Sequence, residues 1–238
     1  MWEAGNLQAL EILNRQIVVC RRCPRLVEYR EQVARVKRRA YQDWDYWGRP
    51  VPGFGDPRAR LLLIGLAPGA HGANRTGRVF TGDSSGDFLY RALFETGFAS
   101  APTSVSRDDG LTLKDAYISA AVRCAPPGNK PALDEIRNCR PYLERELELL
   151  DGVRVVVALG RLAFDAYLSI LLGQGKIARR SSFVFAHGQE YRTAPGQPIL
   201  IGSYHPSQQN TFTGKLTPAM FRAVFRKARR LMDESAAE

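Results

Sequence analysis

The sequence predicts an α/β fold in a single domain spanning 1–238, a three-layer helix–sheet–helix sandwich around a four-stranded parallel sheet. Three observations carry this expectation. Four short, nearly continuous apolar runs are bounded by Gly, Pro or charged residues, as fully buried strands are. Longer segments between them repeat their apolar residues at helical spacing. Strands separated by helices pair in parallel through crossovers, which lay helices on both faces of the sheet. A chain of 238 residues is long enough to bury one substantial core.

Taken in order, Leu7–Val18 reads as a helix ahead of the sheet, and Arg39–Gly55, rich in Trp, Tyr, Pro and Gly, as a covering loop. The first strand is Arg60–Leu66, ended by Pro68-Gly69. Ser85–Glu95 spaces Phe88, Leu89, Leu93 and Phe94 as a helix does. Asp115–Val122 is the second strand, and Leu133–Leu150 a helix with Ile136, Leu143, Leu147 and Leu150 on one side. Val153–Leu159 is the third strand, followed past Gly160 by a helix over Arg161–Leu172. Pro198–Tyr204 is the fourth strand. The helix Pro218–Met232 closes the chain, with its proline in a first turn that needs no N–H there.

Composition narrows the function classes. Hydrophobic residues make up 45%, which excludes a disordered chain, and the longest apolar run, Leu61–Leu66, is far too short for a bilayer and is interrupted by Gly65. Met1–Leu10 has no leader-like pattern, so a cytoplasmic location is expected. The net charge of +10 favours a polyanionic partner. Basic residues cluster at Arg21, Arg22 and Arg25, at Arg35, Lys37, Arg38 and Arg39, and at Arg222, Arg226, Lys227, Arg229 and Arg230. Any one cluster could be a solvated helix face; together they point to DNA or RNA.

All four cysteines fit one ligand-like pattern, Cys20-Arg-Arg-Cys23 followed by Cys124 and Cys139. Four soft thiolates that converge suit a zinc ion or an iron–sulfur cluster. Disulfides are the weaker reading for a chain of this length with no secretory signal.

In doubly wound folds, ligands bind beyond the carboxyl ends of the strands. Polar, Gly- and Pro-rich loops follow three of the strands: GLAPGAHG at 65–72 with NRTGR at 74–78 and FTGDSSG at 80–86, VRCAPPGNKP at 122–131, and YHPSQQN at 204–210. With CxxCP at 20–24 and Cys139, these motifs resemble the uracil-DNA glycosylase superfamily, in its iron–sulfur type 5 branch. The resemblance covers nearly the whole chain in order. It implies a four-stranded parallel sheet between helices, a 4Fe–4S cluster on Cys20, Cys23, Cys124 and Cys139, and hydrolysis of the N-glycosidic bond of uracil and other deaminated bases, such as hypoxanthine, in DNA. A monomer associated with the nucleoid is expected.

That activity assigns roles residue by residue. The target nucleotide must be flipped into a pocket with a flat wall and hydrogen-bond donors. Phe80 matches the family's stacking residue, although an aromatic there could equally be core. His205 lies in the family's HPS motif, where an N–H to a base carbonyl oxygen stabilises the charge of the departing base. Asn129 offers an amide to a base edge, its bland alternative being a turn residue beside Gly128. Asn210 braces the His205 loop or contacts the site, and Pro206 and Ser207 press on the DNA backbone. Asp83 orients the attacking water or balances charge on the sugar; its rival role is a helix N-cap.

Two departures from related branches matter. Where other uracil glycosylases carry an Asp or a Glu in the first motif, Gly65-Leu-Ala-Pro-Gly69 offers no side chain that can take a proton. Where the type 4 branch reads uracil with an Asn, this chain has Ala120. Catalysis is then expected to rest on leaving-group stabilisation, with Gly65, Leu66 and Ala67 lining the base site and backbone carbonyls holding the water. A zinc-dependent deaminase is excluded in practice, because Val19 rather than Pro precedes Cys20 and no His-x-Glu pairs with it. A non-catalytic, metal-stabilised nucleic-acid-binding module is the remaining alternative.

Overall fold

Leu61–Gly65, Ala116–Ala120, Val155–Leu159 and Ile199–Ser203 are buried at every residue, as parallel strands covered on both faces must be. A computed structural model describes residues 4–234. Met1–Glu3, part of the segment read for a leader, and 235–238 lie outside the described residues. In chain order the helices are α1 (Ala4–Val18), α2 (Pro24–Val36), α3 (Ala73–Thr76), α4 (Ser84–Glu95), α5 (Leu133–Leu149), α6 (Arg161–Gly173), α7 (Gln208–Phe212) and α8 (Pro218–Glu234). The strands are β1 (Phe54–Gly55), β2 (Leu61–Gly65), β3 (Ala116–Ala120), β4 (Val155–Leu159), β5 (Glu190–Tyr191) and β6 (Ile199–Ser203).

The sheet has six strands in the order β1-β3-β2-β4-β6-β5, not four. The four expected strands are its parallel centre, with Leu61 level with Ala116 and Val155, and Val155 level with Ile199. The two additions are two-residue antiparallel edges on β3 and β6, too short for any periodicity to reveal. Gly55 can enter the ladder only as glycine, because a Cβ there would lie 2.4 Å from the Ala116 carbonyl oxygen. The rest of Arg39–Gly55 is the expected covering loop, opening with a single 3₁₀ turn at Arg39–Tyr41.

Alternate residues of each strand feed two cores. Leu62, Ile64, Val156, Ala158 and Leu200 face α1, α5 and α6. Leu61, Leu63, Val155, Val157, Ile199 and Ile201 face α4 and α8. The expected helices all form, with ends shifted by up to three residues. Helix α2 had no sequence signal of its own: its buried face is only Leu26, Val27 and an arginine, Arg30.

Successive connections carry the chain from β2 to β3 on one side and from β4 to β6 on the other. A crevice therefore opens between the carboxyl ends of β2 and β4, at the topological switch point. The end of β3 is fixed by an ion pair between Arg123 and Glu146, 1% and 0% exposed, with the Ser119 hydroxyl donating to the same carboxylate oxygen. The Arg123 carbonyl also accepts the Val51 N–H at 2.7 Å, which ties the covering loop to this strand end. Removing one member of such a pair strands a buried charge. Glu146→Ala should therefore lower stability by about 3–5 kcal/mol in urea denaturation. A loss below about 1 kcal/mol, the range of an exposed pair, would show that Arg123 finds water instead.

Candidate active site and cysteine centre

Glycines end β2 and follow β4, and a ring rests on each. A Cβ on Gly65 would lie 2.7 Å from the Phe80 ring, and one on Gly160, at φ +99°, would lie 3.3 Å from the His205 Cβ. The two rings are thereby brought together at the switch point, 5.8 Å apart between centroids and inclined by 34°. Ala120 stands level with Gly65 on β3, so no side chain longer than a methyl intrudes from that side.

Phe80 holds a left-handed backbone, φ +52°, which a bulky residue adopts only where its surroundings enforce it. Here Gly86 lets the Phe80 carbonyl pass, since a Cβ at that position would sit 1.8 Å from the oxygen. Buried Arg78 knots the turn together, donating to the Thr81 hydroxyl at 3.1 Å, the Ser104 hydroxyl at 2.6 Å and Asp109 at 2.6 Å. Arg75 adds a second clamp. Its guanidinium lies 4.0 Å from the Tyr41 ring centroid and 4.1 Å from that of Trp44, and it donates to the carbonyls of His71 and Gly82. Sequence reasoning passed over both arginines. Their signal was present in NRTGR, but a basic residue in a loop reads first as a phosphate contact.

Burial holds the His205 imidazole down at about 4, so it is neutral at physiological pH. Its loop is braced as expected: the Asn210 amide donates to the His205 carbonyl at 2.9 Å, and the Ser207 hydroxyl accepts the Asn210 N–H. Asp83 is the N-cap of α4, with one oxygen accepting the Gly86 N–H at 3.0 Å. Its other oxygen lies against the first-motif loop, where a Cβ on Gly72 would come within 2.0 Å and one on Gly69 within 2.9 Å. Burial raises the Asp83 pKa, opposed by hydrogen bonds from the Gly86 and Ser85 backbone.

The remaining expected site residues are less alike in their placement. The Gly65 and Leu66 carbonyls accept the Ala121 and Val122 N–H groups at 2.9 Å each, whereas the Ala67 carbonyl receives none among the described residues. Asn129 is exposed on the loop after Cys124, in a left-handed turn with Gly128 that is closed by its own N–H to the Pro126 carbonyl. Its side chain makes no hydrogen bond among the described residues, and the turn reading describes its backbone.

Cys20, Cys23, Cys124 and Cys139 are all free and line one small pocket, with Leu26, Val27 and Tyr142 among its walls. Three of the sulfurs receive N–H donors: Cys124 from Arg30 at 2.9 Å, Cys139 from the Arg123 backbone at 3.2 Å and Cys23 from Asn138 at 3.7 Å. Burial pushes the Cys124 thiol up to about 11 and the Cys139 thiol to about 12, so ionised ligands here need a cation's charge. Among the described residues, no three Cys, His, Asp or Glu side chains form a site for a single metal ion.

The basic clusters divide. In α8, Arg222 pairs with Glu95, Lys227 with Glu190 and Arg230 with Glu234, while Arg229 stacks on Phe98 and donates to the Thr96 carbonyl. These contacts largely serve to fasten α8 to the body. Arg21 and Arg25 are likewise held by Glu31 and Glu135. Arg35, Arg38 and Arg39 stay exposed beside the covering loop. No described helix is long and apolar enough to cross a membrane.

Residues 52–229 match the family model for the uracil DNA glycosylase superfamily. A type-5 uracil-DNA glycosylase of Thermus thermophilus is 54% identical over 215 residues, 90% of this chain and 94% of that protein. The Mycobacterium leprae type-5 protein is 52% identical over 229 residues, 96% of this chain and 98% of its own length. A type-4 uracil-DNA glycosylase of Sulfurisphaera tokodaii is only 26% identical over 204 residues, 84% of this chain and 76% of that protein.

The His205 environment can be tested without substrate. Nitrogen NMR of the imidazole should show a neutral ring throughout the range from pH 8 to pH 5, with protonation near pH 4. A midpoint near 6.5, the unperturbed value, would mean that the ring is open to water.

Proposed function

The chain belongs to the uracil-DNA glycosylase superfamily, in its type-5 branch, and from that premise we propose how its residues remove a base from DNA. The activity is that of a DNA glycosylase, hydrolysis of the N-glycosidic bond of uracil, which leaves an abasic site. The observation that carries the mechanism is the Phe80–His205 pair seated on Gly65 and Gly160 at the switch point.

A flipped base stacks on Phe80. The neutral His205 donates an N–H to a base carbonyl oxygen, a bond that strengthens as the base leaves with its electrons, which favours the transition state over the ground state. The Asn129 amide meets the base edge once DNA covers its loop. Asp83 keeps one oxygen on α4 and turns the other to the water, with the Ala67 carbonyl as second acceptor. Its raised pKa makes it a stronger base than an exposed carboxylate. The Gly65 and Leu66 backbone forms the floor of the base site, and Asn210 keeps His205 in place.

Cys20, Cys23, Cys124 and Cys139 hold a 4Fe–4S cluster in this reading. Two features support it: N–H donors aimed at three of the sulfurs, and a buried Arg30 whose Nε lacks a hydrogen-bond partner and whose charge an anionic centre would balance. Ligation by Cys20 and Cys23 ahead of α2, Cys124 after β3 and Cys139 in α5 would cross-link these segments. The enzyme acts as a monomer on DNA of the nucleoid, which it meets through Arg35, Arg38 and Arg39.

Release of labelled uracil from an oligonucleotide, followed in single turnover, tests the mechanism. His205→Ala should slow it by roughly 10²-fold or more while DNA affinity changes little. Asp83→Asn is informative because Asn is an equally good N-cap. A rate loss with unchanged melting temperature assigns Asp83 to the water, and full-rate turnover would leave it as a cap alone.

Ala120 sets the range of bases. With no amide fixed beside the stacking ring, a base that mismatches uracil's hydrogen bonds leaves no buried group unpaired. Hypoxanthine should be released within roughly 100-fold of the uracil rate opposite the same base. Ala120→Asn should widen that gap. Strong uracil release with no detectable hypoxanthine release in the unaltered protein would place selectivity elsewhere.

A further inference from the structure

Two buried guanidiniums flank the cysteine cavity, and they differ in one respect. That of Arg123 is matched by the Glu146 carboxylate. Arg30, only 2% exposed, has no such partner of its own. Its Nη1 donates to the Cys124 sulfur at 2.9 Å and to the Cys20 carbonyl at 3.3 Å, and its Nη2 reaches the same carbonyl at 3.3 Å. The carboxylate that approaches it, Glu31, stays 3.7 Å away and already grips Arg21 with both oxygens. The Arg30 Nε is buried with no hydrogen-bond partner. Arg30 is thus left with one long ion pair that it shares with Arg21, and a buried cation so weakly matched is costly unless a further anion lies beside it.

We infer that Arg30 is the counter-cation of the iron–sulfur centre: through its N–H to the Cys124 sulfur and its positive charge, it offsets the net negative charge of a four-thiolate cluster, raises its reduction potential and protects it from oxidative loss. The inference rests on the cluster reading given above. Hydrogen bonds to sulfur and nearby charge are among the levers that set such potentials. Arg30 also faces the chemistry. Its carbonyl accepts the Asn74 amide at 3.2 Å, and the Asn74 N–H donates to the Gly69 carbonyl at 3.0 Å, in the loop that receives Asp83. Arg30 thus touches the cysteine centre directly and reaches the first motif through Asn74.

The test uses anaerobically purified protein and the variants Arg30→Lys and Arg30→Met. Iron and acid-labile sulfide are measured first, then the midpoint potential by dithionite titration, then the rate at which ferricyanide bleaches the cluster. Arg30→Met should shift the potential to more negative values and bleach several-fold faster, while Arg30→Lys should stay close to the unaltered protein. A fully loaded Arg30→Met with unchanged potential and bleaching rate would overturn the inference. Should Arg30→Met fail to load, loading of Arg30→Lys supports a charge role, and equal failure of both assigns Arg30 to shape alone and sinks the proposal. Unaltered protein that contains no iron or sulfide would fail the cluster reading itself, an outcome distinct from a loaded protein that ignores Arg30.

Discussion

The contact on which the rest of this structure depends is a ring laid on bare backbone. Phe80 and His205 meet over Gly65 and Gly160, which present no side chain at the ends of neighbouring strands. Everything around the crevice serves that meeting. The switch in strand order opens the gap, the Arg78 knot and Gly86 hold the Phe80 turn, and Asn210 holds the His205 loop. The apolar strands set the position of the backbone, and the polar network sets the two rings within it.

Sequence reading recovered the parallel centre of the sheet and the major helices because buried parallel strands and amphipathic helices leave long periodic signals. It could not recover β1 or β5, which are two residues each and owe their pairing to neighbouring strands. Helix α2 was missed because an arginine occupies its core-facing side, against the usual pattern. Motif order placed Phe80, His205 and Asn210 together at one sheet edge, where the structure also has them, and of the two readings of Asp83 the N-cap is the one visible in the fold. What stayed hidden were Arg75, Arg78 and Arg30, cations whose partners lie on distant segments. Charge count alone gave too generous a view of the nucleic-acid face, since much of α8's positive charge is spent inside the molecule.

The cysteine centre and the base site are neighbours by construction. Cys124 follows β3 within the segment that also carries Asn129, and Arg30 of α2 links Cys20 and Cys124 to the first motif through Asn74. The covering loop joins the same assembly, because Val51 bonds to Arg123 and Gly48 to Asn74. Disturbance at the sulfurs therefore has short routes to the first-motif loop and the covering loop.

The left-handed turn at Phe80 has a consequence for what the enzyme can accept. A ring on a relaxed loop could swing to follow the outline of each base. This one is pinned from behind by Gly86 and from the side by a buried arginine, so its plane is fixed before any DNA arrives. Under the mechanism proposed above, the slot therefore works as a feeler gauge. It measures whether a base is flat and thin enough to enter, and leaves its outline to be judged by the few polar groups at the rim.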